Sequence, residues 1–444
     1  MNETKFMTLS IPQVFLRCAV PGLFAMLVSS IYVMIDGIFV GRYIGSHALA
    51  AVNLAFPIIM MLFAVGDMIA VGSSVKIGLA LGEGRTDEAN GIFSACFFLI
   101  LLVGVFFSCI GFLVAPWLIQ TLITDTLLAE MAWDYARIFL YFMPVLMPLF
   151  AMDNYLRICG QAQYSMWMNI TAAVVNIFLD WLFLAKLGLG ITYAALATAI
   201  SMSLGVLVAL VPFLCRRLTL RLTRPRLSLR TFFGIVHNGS SEFFNNISGS
   251  LLSTVINALL LGLGGNAAVA AYGIVMYLDS LLLMALYGIL DALQPPISYN
   301  VGAGAYTRVQ KLFRLTACVA CGLSMLFFVG MLCFPEALTL LFIPEESPSV
   351  IGMSIDALRC YAPTYLFLWW NMLISSFLTA MDYAKASLRI MLFRSLLFPA
   401  LFLVLLPQFW DVWGVFLTPA AAALLTALLA FWTWRHTTKS VPIS

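Results

Sequence analysis

The sequence predicts an all-α integral membrane protein with twelve transmembrane helices, arranged as two six-helix lobes. Three observations predict it. Of 444 residues, 63% are hydrophobic and 10% charged, with a mean hydropathy of +1.02, whereas soluble domains carry about 25% charged residues. The apolar residues come in continuous runs, not short alternating segments, which favours helices over a barrel; the length suits about a dozen spans of roughly 20 residues. Finally, a basic stretch divides the chain near its middle, and the apolar sequence on one side repeats that on the other.

Taken in order, runs bounded by Gly, Pro and charge place helices at 14–41, 48–77, 91–115, 130–155, 162–185 and 190–214, then at 239–262, 268–298, 311–334, 353–379, 387–407 and 412–434. Between the sixth and seventh lies RRLTLRLTRPRLSLR (216–230), with six arginines and no acid. Such a segment could bind nucleic acid in isolation. Between two hydrophobic halves it reads as a cytoplasmic linker under the positive-inside rule, with no nucleic-acid partner. The domain division is then 1–215 for the first lobe, 216–237 for the linker and 238–444 for the second lobe.

Alternate counting from the linker places both termini in the cytoplasm. The cytoplasmic loops then hold Arg85, Arg157, Arg308, Lys311, Arg314, Lys385, Arg389 and Arg394. The external loops keep Arg42 and Lys186, and one of them carries Glu336, Glu345 and Glu346. This bias fits a multi-pass protein of the inner (cytoplasmic) membrane. The start, MNETKFMTLSIPQ, lacks a signal-peptide pattern, so the first helix is expected to remain as an anchor.

A shift of 220 residues sets 45–93 over 265–313 without a gap, and Gly82 and Gly84 fall on Gly302 and Gly304. An even number of helices per repeat brings both halves in from the same side. The lobes are therefore expected to be related by a pseudo-twofold axis along the membrane normal.

There is no Walker A, GxSxG or HExxH pattern, which weighs against an ATP-driven pump and the commoner hydrolases. The nine cysteines lie mostly in apolar runs without zinc-ligand spacing. His47, His237 and His436 are scattered at helix ends, with no nucleophile–base pattern around them. The chain is expected not to be an enzyme and to need no cofactor, and to act as a monomer in the bilayer on small organic molecules.

Intramembrane polar residues carry the chemistry. Asp36 sits in the first helix, where Pro21 removes a backbone donor and invites a bend. A carboxylate in a membrane helix costs about 2.5–3.5 kcal/mol, so it faces a cavity or a partner by default. Asn176 and Asp180 are four residues apart and share one helix face. In the proposed topology Asp36 and Asp180 lie at similar depth in the outer leaflet. Tyr135 and Thr198 begin inward-running helices there, so all five could meet in one pocket. The same residues could instead be separate polar caps at the interface. In the second half, Glu242, Asn245 and Asp279 are cleft candidates for substrate, with Asn246 and Asp291 near them in sequence; Glu242 could equally be an acid favoured by a helix N-terminus.

Across nearly its whole length the chain resembles the multidrug and toxic compound extrusion (MATE) transporters. The features are Asp36-Gly-Ile-Phe-Val-Gly-Arg42 with Ala48-Leu-Ala-Ala51, Asn154-Tyr-Leu-Arg157-Ile-Cys-Gly160 and Asn176-Ile-Phe-Leu-Asp180. To these are added Gly188 to Thr198, Gln294-Pro-Pro-Ile-Ser-Tyr-Asn300 and Gly302-Ala-Gly304. Each motif alone is weak; their order and spacing together are specific. The resemblance implies two lobes around a V-shaped cleft and export of organic, often cationic, compounds against H+ or Na+ entry.

It looks closest to the DinF-like branch, which implies a cation site of Asp36, Tyr135, Asn176, Asp180 and Thr198. Na+, if it is the ion, would sit at Asp36, Asn176, Asp180 and Thr198. The resemblance also implies a conformational hinge at Pro21. No second-lobe carboxylate pair matches the NorM-like branch, because Glu242 comes earlier in the seventh helix. The alternative is a lipid-linked precursor flippase of related fold, which would favour a strongly cationic cavity.

Overall fold

The computed structural model describes residues 5–123, 125–342 and 348–438, and within them the chain is helical almost throughout. After a short helical turn at Lys5–Thr8, six membrane-length helices precede the linker: α1 (Ile11–Phe39), α2 (Ser46–Gly82), α3 (Thr86–Leu122), α4 (Thr126–Ile158), α5 (Ala162–Asp180) and α6 (Ile191–Leu214). Short π-helical turns extend α1 through Val40–Ile44 and α5 through Trp181–Lys186. After the linker, a 74-residue helical run, Leu229–Gly302, divides at Gly265, where φ is 64°. This gives α7 (229–264) and α8 (266–302). They are followed by α9 (Tyr306–Cys333), the paired segments Pro348–Tyr361 and Thr364–Ala380 (together α10), α11 (Ala384–Leu405) and α12 (Pro407–Thr438). Among the described residues these make twelve membrane-length elements, as the sequence predicts.

Local chemistry explains the boundaries. Asp125 caps α4 by accepting from the Leu128 N–H at 3.1 Å, and Ser228 caps α7 by accepting from the Thr231 N–H at 3.0 Å. The Ser228 cap starts α7 at Leu229, ahead of the helix start expected at 239. The repeated glycines at the turns before α3 and α9 take the same left-handed conformation, with φ of 79° at Gly84 and 69° at Gly304. A side chain there would be strained, which accounts for glycine in both halves.

The linker folds back on the first lobe. Its Arg221 and Thr223 N–H groups donate to Asn90 Oδ1 and Ser94 Oγ, each at 2.8 Å. Phe6 at the N-terminal end packs edge-to-face on Tyr299, and Arg308 donates to the Phe6 and Leu9 carbonyls. Thr437 at the far end of α12 lines a cavity with Gly234 and Lys76. Both described chain ends therefore lie on the face that bears the linker. Glu345 and Glu346 fall outside the described residues.

The lobes meet along a seam of small residues. A Cβ on Gly22 would stand 2.2 Å from the Gly288 carbonyl oxygen, one on Gly302 2.2 Å from that of Leu79, and one on Gly239 1.8 Å from that of Met68. Such approaches leave room for hydrogen only, so α1 and α2 touch α7 and α8 backbone to backbone. All lie in the halves of these helices nearer the linker. Lys76 of α2 forms an ion pair there with Asp382, between α10 and α11. Asn238 steadies the same carboxylate from α7, donating to Oδ1 at 2.9 Å. The cleft is thus sealed at the linker face.

Of the charges predicted in loops, Arg157 is buried within one helix and Arg394 half-buried within another. Arg157 is 4% exposed and pairs with Asp153, one turn earlier on α4, which also accepts from Ser165 and Asn169. Arg394 lies within α11, ten residues from its start. Both arginines count toward the positive-inside signal by sequence alone; their neighbours show that they belong to the interior.

Candidate functional site

Asp36 sits near the end of α1 and Asp180 at the end of α5, each helix running away from the linker face. Their side chains stand within hydrogen-bonding reach of one another. Asn176, one turn before Asp180, donates from Nδ2 to Thr198 Oγ1 of α6 at 3.2 Å. Tyr135 of α4 is 3% exposed, packs at a tilt against Phe139 with ring centroids 5.2 Å apart, and interacts electrostatically with both aspartates. The structure therefore brings together the five residues singled out in the first lobe.

Four acceptor oxygens of the pocket are left without a partner. Asp36 Oδ1, Asn176 Oδ1 and both Asp180 carboxylate oxygens are buried with no hydrogen-bond partner. Buried acceptors left alone cost about 1–3 kcal/mol each, more when charged. Two facing carboxylates also repel when both are ionised. One cation answers both problems: a proton shared between the carboxyls, or a hard alkali ion taking oxygen ligands from Asp36, Asn176, Asp180 and Thr198. Tyr32, one turn before Asp36, also feels its charge and was not apparent from the sequence, where it looks like one more aromatic residue of an apolar run.

The π-helical turns are a second signal hidden from the sequence. One begins four residues after Asp36 and another directly after Asp180, and such turns recur at functional sites because they re-aim side chains. Pro21 is buried in α1 beside the Gly22–Gly288 approach, and the helix continues through it without a break.

In the second lobe Glu242 and Asn245 lie within one turn of each other on α7. Glu242 shares a small cavity with Tyr287, Asp291 and Arg394, and Asn245 donates to the Tyr287 hydroxyl at 2.8 Å. Asp279 does not join them. It lies twelve residues before Asp291, about 18 Å along α8, and is 8% exposed inside the second lobe, accepting from the Tyr365 hydroxyl at 3.1 Å. Its tyrosine partner on α10 could not be read from spacing in α8. Asp67 of α2, which the sequence reading passed over, reaches across the cleft floor to accept from Asn246 Nδ2 at 3.3 Å.

Two similar lobes, a cleft sealed at one face and a buried oxygen-lined pocket in one lobe define a membrane transporter of the alternating-access kind. The family model for MatE matches residues 21–182 and 243–405, and the chain belongs to that family. It is 25% identical over 342 residues to the probable multidrug resistance protein YoeA of Bacillus subtilis, covering 75% of this chain and 74% of YoeA. It is 24% identical over 351 residues to the FAD transporter of Shewanella oneidensis, covering 77% and 76% respectively. An outward-facing multidrug resistance MATE family transporter of the MOP superfamily superposes with a TM-score of 0.92 at 21% identity, over 100% of this chain and 99% of that one.

Proposed function

We propose that this protein exports organic compounds, cationic or amphipathic, and drives each export step by letting H+ or Na+ enter through the Asp36–Asp180 pocket. The observation that carries the reading is the convergence there of four buried acceptor oxygens with no hydrogen-bond partner. Such a pocket is unstable empty and stable with a cation. A ligand shifts a conformational equilibrium only by its differential affinity for the two states. Antiport follows when the cation favours the state that has released drug and the drug favours the other. The similarity to YoeA supports drugs or toxic metabolites as the cargo class.

The arginine-rich linker and the ends of the chain are assigned to the cytoplasmic side of the cell membrane. The Lys76–Asp382 closure then marks a cleft open outward, from which cargo leaves and into which the cation arrives. Neither step makes or breaks a covalent bond, so no catalytic residue or cofactor is required. A flippase for lipid-linked precursors is disfavoured by the floor of the cleft, where Asp67, Glu242 and Asp291 outnumber Arg394.

Substrate flux from proteoliposomes, with pH and sodium gradients imposed separately, tests the reading. Efflux should follow one of the two gradients and stop in Asp180→Asn. Wild-type efflux that is indifferent to both gradients would refute cation coupling.

A further inference from the structure

Arg394 stands inside the second lobe without a carboxylate partner. Its Nη2 donates to two neutral groups, Asn245 Oδ1 at 2.8 Å and the Tyr287 hydroxyl at 3.2 Å. Among the described residues it enters no ion pair. The contrast with Arg157 is instructive, because that buried arginine has its own aspartate one turn away. Arg394 also sits in the π-helical turn Phe393–Leu397. The three π-helical turns among the described residues therefore fall at or beside Asp36, Asp180 and Arg394. An intramembrane arginine is costly and marks a functional site by default; one held in place by neutral groups keeps its charge available to a visitor.

A carboxylate faces the same floor from the other lobe. Asp67 of α2 accepts from Asn246, the residue next to the Asn245 that holds Arg394. Two asparagine side chains and one Cα step of about 3.8 Å thus link a cation on one lobe to an anion on the other. Glu242 and Asp291 line one small cavity with Arg394 on the second lobe, and Asp67 is the carboxylate that faces it from the first.

We infer that Arg394 is a specificity-determining residue that takes the anionic group of zwitterionic cargo, while Asp67 on the facing lobe takes its cationic group. A molecule bound this way spans both lobes, and its charges are lost to solvent together when the lobes part. This inference rests on the exporter reading and adds a cargo class to it. A guanidinium suits the role because its fork of five donors still has N–H groups to offer a carboxylate after Nη2 is engaged.

The test uses a rhodamine free acid and its methyl ester, one dye as a zwitterion and as a monocation, in proteoliposomes of the full chain under the driving gradient. Ester efflux by the wild type reports the exporter reading by itself; its absence would sink that reading whatever the acid does. The acid-to-ester ratio of kcat/KM reports the role of Arg394. In Arg394→Gln the ratio should fall about 10-fold or more, the scale of one lost charge-assisted hydrogen bond. Arg394→Lys, which keeps the charge but not the fork, should lose less, and it serves if the Gln variant does not fold. A wild type that carries the ester but not the acid overturns the inference, as does an unchanged ratio in either folded variant's comparison with wild type, including equal losses for both dyes.

Discussion

Gly239 offers the sharpest perturbation of the seam. In Gly239→Ala the new Cβ would stand 1.8 Å from the Met68 carbonyl oxygen, whereas real Cβ contacts essentially never fall under 3.0 Å. The seam must therefore open there by about 1.2 Å, the difference between those two distances. The obstacle is backbone, so no side-chain rotation relieves it. Overpacking of this kind costs about 1–3 kcal/mol. The cost falls only on the state in which α2 and α7 touch, and it moves the ratio of states by about 5- to 150-fold away from closure at the linker face. Ser298 provides the readout. It is 1% exposed and packs at Gly78 in the same seam, so Ser298→Cys in a chain without its nine native cysteines should react slowly with an impermeant maleimide. Adding Gly239→Ala should raise the labelling rate at the linker face several-fold or more while the protein stays monodisperse in detergent. A folded double variant labelled at the original rate would show that the seam does not open as the lobes move.

The remaining predictions concern the ion pair, the cation pocket and the hinge. Lys76→Ala removes the Lys76–Asp382 closure, and labelling of Ser298→Cys should rise, but by less than with Gly239→Ala, because a partly exposed ion pair contributes about 1 kcal/mol or less. Asp36→Asn and Asp180→Asn each supply a donor permanently; gradient-driven efflux should fall to background with near-normal expression, and wild-type efflux with wild-type cation dependence would remove that residue from the site. Pro21→Ala restores a backbone donor within α1; efflux should decline in a folded, inserted protein, and unchanged efflux would make the proline structural only.

The lobe architecture was legible because bilayer thickness dictates helix length and the charge bias marks one face. The first-lobe site was legible for a similar reason. Asp36, Tyr135, Asn176, Asp180 and Thr198 share a depth along helices of known direction, and depth follows from counting residues. Rotation about each helix axis does not. Asp279 points into its own lobe toward Tyr365, and Asp67 points out across the cleft; nothing in their neighbouring residues separates the two cases. Arg157 looks like a loop arginine because its helix extends beyond the apolar run, and Arg394 because its charge sits near the start of its own run. Pairing with Asp153 supports the first, and a neutral cradle from α7 and α8 supports the second. The π-helical turns have no sequence signature at all, since a single extra residue in a helical turn leaves the apolar pattern intact.

The central claim is that the pocket at Asp36 and Asp180 exchanges a cation for cargo. It is tested most directly by running the exchange backwards, with proteoliposomes preloaded with cation and a cargo gradient applied from outside. Inward cargo movement should expel H+ or Na+ in a fixed ratio to the cargo carried, and Asp180→Asn should expel neither. Cargo movement without ion release in the wild type, or undiminished ion release in Asp180→Asn, would contradict the account.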